Sequence, residues 1–225
     1  MADERDLLRW SEALAGIART GLGFTDNLYE RERFEEVLHI AADIRARVQD
    51  GPVPSFQVEE WLKSVGEGVP GYVTPKIAIG AVVGNDDGEI LLIQRADSGV
   101  WLFPTGWADV GYSAAEVAEK EVHEETGIEV EVVRLISVVD GIRQGFTRVP
   151  LYSLVFHCRV VGGDLKGHPL ETTDLGFFAE GALPEPIASA DKWVDRAFAA
   201  IRGEPIEVDF DQPRRPAWRI QQGDV

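Results

Sequence analysis

The chain is poor in cysteine and in positive charge. A single cysteine, Cys158, rules out an internal disulfide, and its apolar, strand-like surroundings give it the reading of a buried core thiol. No apolar run approaches the ~20 residues needed to cross a bilayer. The start, Met1-Ala-Asp-Glu-Arg-Asp, is acidic at once and lacks the basic-then-apolar order of a signal peptide. Lys and Arg number 22 against 39 Asp and Glu, a formal charge of −17. Such a surface repels a nucleic-acid backbone, and an anionic ligand must be met by local positive charge or by a metal. These absences predict a cytoplasmic protein with no membrane and no nucleic-acid partner. No internal repeat is visible. A hydrophobic content of 44% over 225 residues supports a substantial core, in one large domain or in a domain with an appendage.

Two styles of patterning divide the chain. Residues 1 to about 65 read as helix. Leu7, Leu8, Leu14, Ile17 and Ala18 recur at helical intervals up to Gly21 and Gly23. A second helix, with Thr25 or Asp26 as N-cap, carries Phe34, Val37, Leu38, Ala41, Ile44 and Val48 on one stripe. Ser55 opens a short third helix around Glu59-Glu-Trp-Leu62, and Gly66 to Gly71 reads as the linker. From about residue 72 strands take over. Lys76–Val83 and Glu89–Gln94 flank the turn Asn85–Gly88 as a hairpin. Strands follow at Glu129–Val139, Leu151–Val161 and Gly176–Phe178, and a helix at Ile187–Ile201 turns Trp193, Val194, Phe198 and Ile201 inward. The mixture predicts an α+β layered domain. The expected divisions are a helical part at 1–68, a mixed domain at 72–203 and a proline-containing tail at 204–225.

Glu119, Glu121, Glu124 and Glu125 crowd into one predicted helix. Ser113 is suited to its N-cap, Glu116 completes a capping box, and Gly127 suits its left-handed end. Glu121 and Glu125 lie one turn apart on one face, and Glu124 flanks it. Most charge runs are simply solvated faces. Here the preceding loop, Pro104 to Gly111, brings glycines that let backbone approach a ligand. Three carboxylates can converge on one or two divalent cations. His123 points away from that face, and His157 and His168 show no ligand spacing.

The stretch from Gly106 to Ile128 resembles the Nudix box, G-x5-E-x7-R-E-U-x-E-E-x-G-U, where U is a bulky aliphatic residue. Gly106, Glu121, Val122, Glu124, Glu125, Gly127 and Ile128 match it. Tyr112 stands in place of the first Glu and Lys120 in place of Arg, which keeps the charge but loses a bidentate fork. The run Trp10 to Phe24, with Tyr29 to Phe34, is similar to a helical extension found in a bacterial Nudix subgroup. Gly106-Trp-Ala-Asp-Val and Glu171 to Phe178 are similar to the same subgroup.

The resemblance implies a Nudix-type α/β/α sandwich around a mixed sheet, preceded by a small all-helical domain. The apolar stripes of that helical part exceed what one short hairpin can bury by itself, which predicts a homodimer stabilised partly by these helices. It implies hydrolysis of a nucleoside diphosphate derivative, NDP-X, to NMP and X-phosphate, with ADP-ribose, CDP-choline and UDP-sugars as candidate substrates. Mg²⁺, with Mn²⁺ as a substitute, would be held by Glu121, Glu124, Glu125 and the Gly106 carbonyl. Glu171 is the candidate general base, with Asp174 as competitor. Arg95 resembles a phosphate-contacting arginine. Trp107 either stacks on a base or packs the loop, whereas Trp101 is expected to pack. Asp140 and Arg143 lie in a loop long enough to recognise substrate, and solvated loop charges are the alternative. Two other functions stay open: a housecleaning nucleoside triphosphate pyrophosphohydrolase, and a non-catalytic sensor of nucleotide sugars.

Overall fold

In a computed structural model, residues 3–48, 51–66, 73–109 and 111–214 are described. Most of the expected linker, the end of the tail and Val110 of the loop lie outside these residues. The chain forms two compact units, one made of Met1–Ala78 with Asp140–Tyr152, the other of Ile79–Val139 with Ser153–Val225.

In the first unit, α1 spans Glu4–Phe24, α2 Leu28–Arg45 and α3 Pro54–Lys63. Small residues set their spacing. Ala15, Ala18, Ala41 and Ala42 are fully buried and let α1 and α2 approach closely, with Leu22, Leu38, Val58 and Trp61 filling the core between the three helices. α1 ends at Phe24, one residue past Gly23, and the Phe34 ring rests on Gly21 where a Cβ would overlap it. Ile17, expected in the apolar stripe, is 64% exposed. The N-cap of α2 is Asn27, whose Oδ1 accepts from the Tyr29 and Glu30 amides, and not Thr25 or Asp26.

The strands form one mixed sheet: β1 (Lys76–Gly84), β2 (Ile90–Arg95), β3 (Trp101–Leu102), β4 (Thr105–Trp107), β5 (Ile128–Asp140), β6 (Leu151–Gly163), β7 (Thr172–Phe178) and β8 (Asp209–Phe210). The order is β3-β2-β1-β6-β5-β8, with β4 paired to β1 and β7 to β2. β1/β2 and β2/β7 are antiparallel, and β5/β8 is parallel. Ile90, Leu91, Leu92 and Ile93 are all buried, the mark of a central strand covered on both faces. Ile90 and Leu92 join Val82, Phe103, Ile136, Val155 and Phe198 of helix α6 (Ala190–Ile201) in one core. Leu91 and Ile93, of opposite parity, face the other side. There the box helix α4 (Ala114–Thr126) buries Val117, Ala118 and Val122. The result is an α/β/α sandwich. β3, β4 and β8 are too short to carry a sequence pattern. Trp101 packs edge-on against Phe178, and Cys158 is fully buried. Among the described residues no helix is long and apolar enough to cross a membrane.

Candidate active site

The box helix is held at both ends by local chemistry. Ser113 Oγ accepts from the Glu116 amide, Glu116 accepts from the Ser113 amide, and Gly127 closes the helix at φ 71°. Before it, β4 is pinned to the sheet beside β1, and the Pro104 carbonyl accepts from the Ala81 amide at 2.9 Å. Helix and strand therefore place carboxylates against backbone.

Beyond the capping Glu116, the four other acids of the helix separate into different environments. Glu119 accepts from the Val132 amide of β5 at 3.3 Å and is turned to the sheet. Glu124, exposed, is bound by Lys120 at 2.8 Å, and the same ammonium reaches Asp109 of the loop at 3.1 Å. Lys120 thus links helix and loop, and these two bonds push its pKa up. Glu121 is pressed so tightly against Gly106 that a Cβ there would overlap its carboxylate. Glu125 is 5% exposed, and its Oε2 accepts from the Thr105 amide at 3.0 Å.

Burial dominates the electrostatics of the last two. It raises Glu121, with Lys120 pulling the other way and Glu124 adding to the rise. It pushes Glu125 up to about 8 despite the Thr105 hydrogen bond, with the charges of Glu121 and Glu171 raising it further and Arg95 opposing them. Arg95 grips Asp97 through two nitrogens at 3.0 and 2.7 Å, holding that carboxyl at about 2.

Glu171 is exposed on a loop tied to the end of α4. The His168 amide donates to the Glu125 carbonyl at 3.2 Å and the Lys166 amide to the Thr126 carbonyl at 2.7 Å. The His168 imidazole stands 3.7 Å from the Glu171 carboxylate. None of these contacts carries a sequence signal, since two are made by backbone and the third depends on the fold of the loop. Asp174, the competitor, accepts from its neighbour's amide, Leu175. Trp107 is 50% exposed beside the glycine loop. Asp140 and Arg143 belong to the other compact unit, where the Asp140 carboxylate caps a helical turn, α5 (Gly141–Gln144), by accepting from the Ile142 and Arg143 amides.

Among the described residues no three His, Cys, Asp or Glu side chains form a ready metal cluster. Glu121 and Glu125 nevertheless fit a hard divalent cation. Both supply carboxylate oxygen, both are driven above their ordinary range by burial, and a cation would relieve both. Glu124, expected as a third oxygen donor, is engaged by Lys120.

Comparison with known proteins identifies the family of the chain. The NUDIX domain profile matches residues 74–199, and the profile "UDP-X-like, N-terminal oligomerisation domain" matches residues 5–62. The chain is 30% identical over 208 residues to the Bacillus subtilis protein named "Putative ADP-ribose pyrophosphatase YjhB", covering 91% of this chain and 96% of that one. A solved UDP-X diphosphatase superposes with a TM-score of 0.54 at 28% identity, over 93% of this chain and 100% of its own. A solved ADP-ribose pyrophosphatase of Streptococcus suis gives 0.53 at 32% identity, over 61% of this chain and 100% of that one. The chain belongs to the Nudix family of hydrolases, and carries that family's UDP-X-like N-terminal domain.

Proposed function

We propose that the protein hydrolyses the pyrophosphate bond of a nucleoside diphosphate derivative, releasing NMP and X-phosphate. The observation that carries this reading is Glu125, a buried carboxylate held at about 8 beside a glycine loop, with Glu121 pressed against the same loop. Two relatives with similarity along more than nine-tenths of this chain bear the names ADP-ribose pyrophosphatase and UDP-X diphosphatase. Glu121, Glu125 and Glu124 would hold the cation, Mg²⁺ with Mn²⁺ as substitute. When bound, it supplies positive charge against the phosphates and acidifies water. Glu171 takes the proton from the attacking water as oxygen adds to one phosphorus. The bridging P–O bond breaks, and the proton passes to the leaving phosphate. Arg95, steered by Asp97, offsets charge on the phosphates, and Trp107 offers a face to the base.

The test is a panel of ADP-ribose, CDP-choline and UDP-sugars beside nucleoside triphosphates, each with Mg²⁺ or Mn²⁺, with both phosphate-bearing products identified. NMP and X-phosphate are expected. Preferential release of pyrophosphate from triphosphates would move the protein to the housecleaning class. Binding without turnover of any compound would make it a sensor.

The active form is a homodimer held partly by the helical unit. Ile17 and Phe24, seven residues apart on one face of α1, stay exposed, as do Leu28, Tyr29, Ile40 and Phe56. This much exposed apolar surface on one small bundle fits a partner surface. Light scattering at micromolar concentration should give twice the chain mass, and a monomer there would refute the assembly.

A further inference from the structure

The carboxylate assigned to take a proton from water, Glu171, sits on a side chain 62% exposed. A long, exposed side chain samples several rotamers, and a general base must hold one. The main chain of Glu171 is better fixed than its carboxylate. The Ala96 amide, next to Arg95, donates to the Glu171 carbonyl at 2.9 Å. The pairing of β7 with β2 sets Thr172 opposite Arg95, just past an irregularity in the register between Gln94 and Arg95. The charge of Glu171 is accordingly felt at Arg95, Glu121 and Glu125. Arg95 itself commits two nitrogens to Asp97.

His168 joins the end of α4 to the main chain that carries Glu171. Its amide donates to the Glu125 carbonyl at 3.2 Å. Its carbonyl accepts from the Glu171 amide at 3.3 Å and from the Thr172 amide at 3.0 Å. Its imidazole Nδ1 is buried and, among the described residues, has no hydrogen-bond partner. A buried nitrogen without a partner is costly. What stands before it is the Glu171 carboxylate, at 3.7 Å. A shift of about 0.8 Å would close that gap to a hydrogen bond of ~2.9 Å, within reach of a side-chain rotation.

We propose that His168 is a positioning residue for Glu171: its Nδ1–H holds one carboxylate oxygen and leaves the other for the attacking water. The proposal rests on the reading of Glu171 as the general base. The donor is the neutral imidazole with its proton on Nδ1. Holding one oxygen removes the rotational freedom of the exposed side chain before the proton moves. Through its amide and carbonyl the same residue keeps the base in register with Glu125.

Three substitutions differ in where they place a donor. They are compared in the full chain, on the nucleoside diphosphate derivative that the wild type hydrolyses fastest. His168→Ala should lower kcat about tenfold with KM within about twofold. His168→Asn puts an amide nitrogen in the place of Nδ1 and should return kcat to within about threefold of the wild type. His168→Gln carries its amide further out, near the place of Nε2, and should stay close to the Ala value. A role in filling space alone would rank Gln, the larger side chain, level with Asn or above it, and that order overturns the proposal. A wild-type kcat in His168→Ala overturns it too. Glu171→Gln tests the underlying reading separately, since a wild-type kcat there removes Glu171 as the base. If Glu171→Gln instead loses about 100-fold, His168→Ala should cost nothing further in that background, and a full additional tenfold loss overturns the positioning role alone.

Discussion

Glu125→Gln should lower turnover by roughly 10³-fold or more, about 4 kcal/mol of barrier, and leave the fold intact. Glutamine keeps the size of the side chain and an oxygen for the Thr105 amide, so the local hydrogen bond survives. What disappears is the negative charge that a cation needs. The same substitution has a signature in stability that needs no substrate. In the metal-free protein the Glu125 carboxyl sits at about 8, against a reference of 4.5. Between those values the unfolded chain ionises first and the folded chain holds its proton. Stability from this group is therefore full below about pH 4.5 and falls as pH rises towards 8, by on the order of a few kcal/mol. Glu125→Gln removes that slope, and should equal or exceed the wild type in melting temperature at pH 9. Added Mg²⁺ should restore the wild type at pH 9 and do less for the variant. Melting curves at pH 5 and 9, with and without Mg²⁺, decide the matter. A near wild-type rate on every active substrate would sink the assignment.

The parts of the fold readable in the sequence were those specified locally. The box helix announces itself because Ser113, Glu116 and Gly127 act on their own neighbours. The α6 face does so because Trp193, Val194, Phe198 and Ile201 keep a helical spacing. Elements decided by distant partners were not readable. The seating of the Phe34 ring on Gly21 is one such feature, and β3 and β4 exist through pairing with β2 and β1. The candidate site divides in the same way. Spacing along α4 assembles Glu121 and Glu125 on one face. The diversion of Glu119 depends on a β5 amide, and that of Glu124 on Lys120 with Asp109 beyond it. The Thr105 amide and the loop tying Glu171 to the Glu125 carbonyl are backbone features, which side-chain patterns do not encode.

Gly106→Ala should lower kcat/KM about 100-fold, because the new methyl group would occupy the place of the Glu121 carboxylate proposed to hold the cation. The sequence suggests Gly106 for close backbone approach and for a carbonyl ligand. The structure adds a further requirement: no side chain fits between β4 and Glu121, since a Cβ would overlap the carboxylate carbon and both of its oxygens. Two relaxations are open to the variant. Glu121 can swing out, which separates it from Glu125, or β4 can lift from β1, which also draws the neighbouring Thr105 amide away from Glu125. Either one misplaces a carboxylate by a distance comparable to a bond length. The core is untouched, because Val117 and Val122 still bury against the sheet, so the melting temperature should fall by only about a few degrees. A double-mutant cycle isolates the cause. In a Glu121→Gln background the carboxylate is already lost, and Gly106→Ala should cost little more. Additive losses would show that the glycine acts through some other contact, and would separate the loop from the carboxylate it is argued to accommodate.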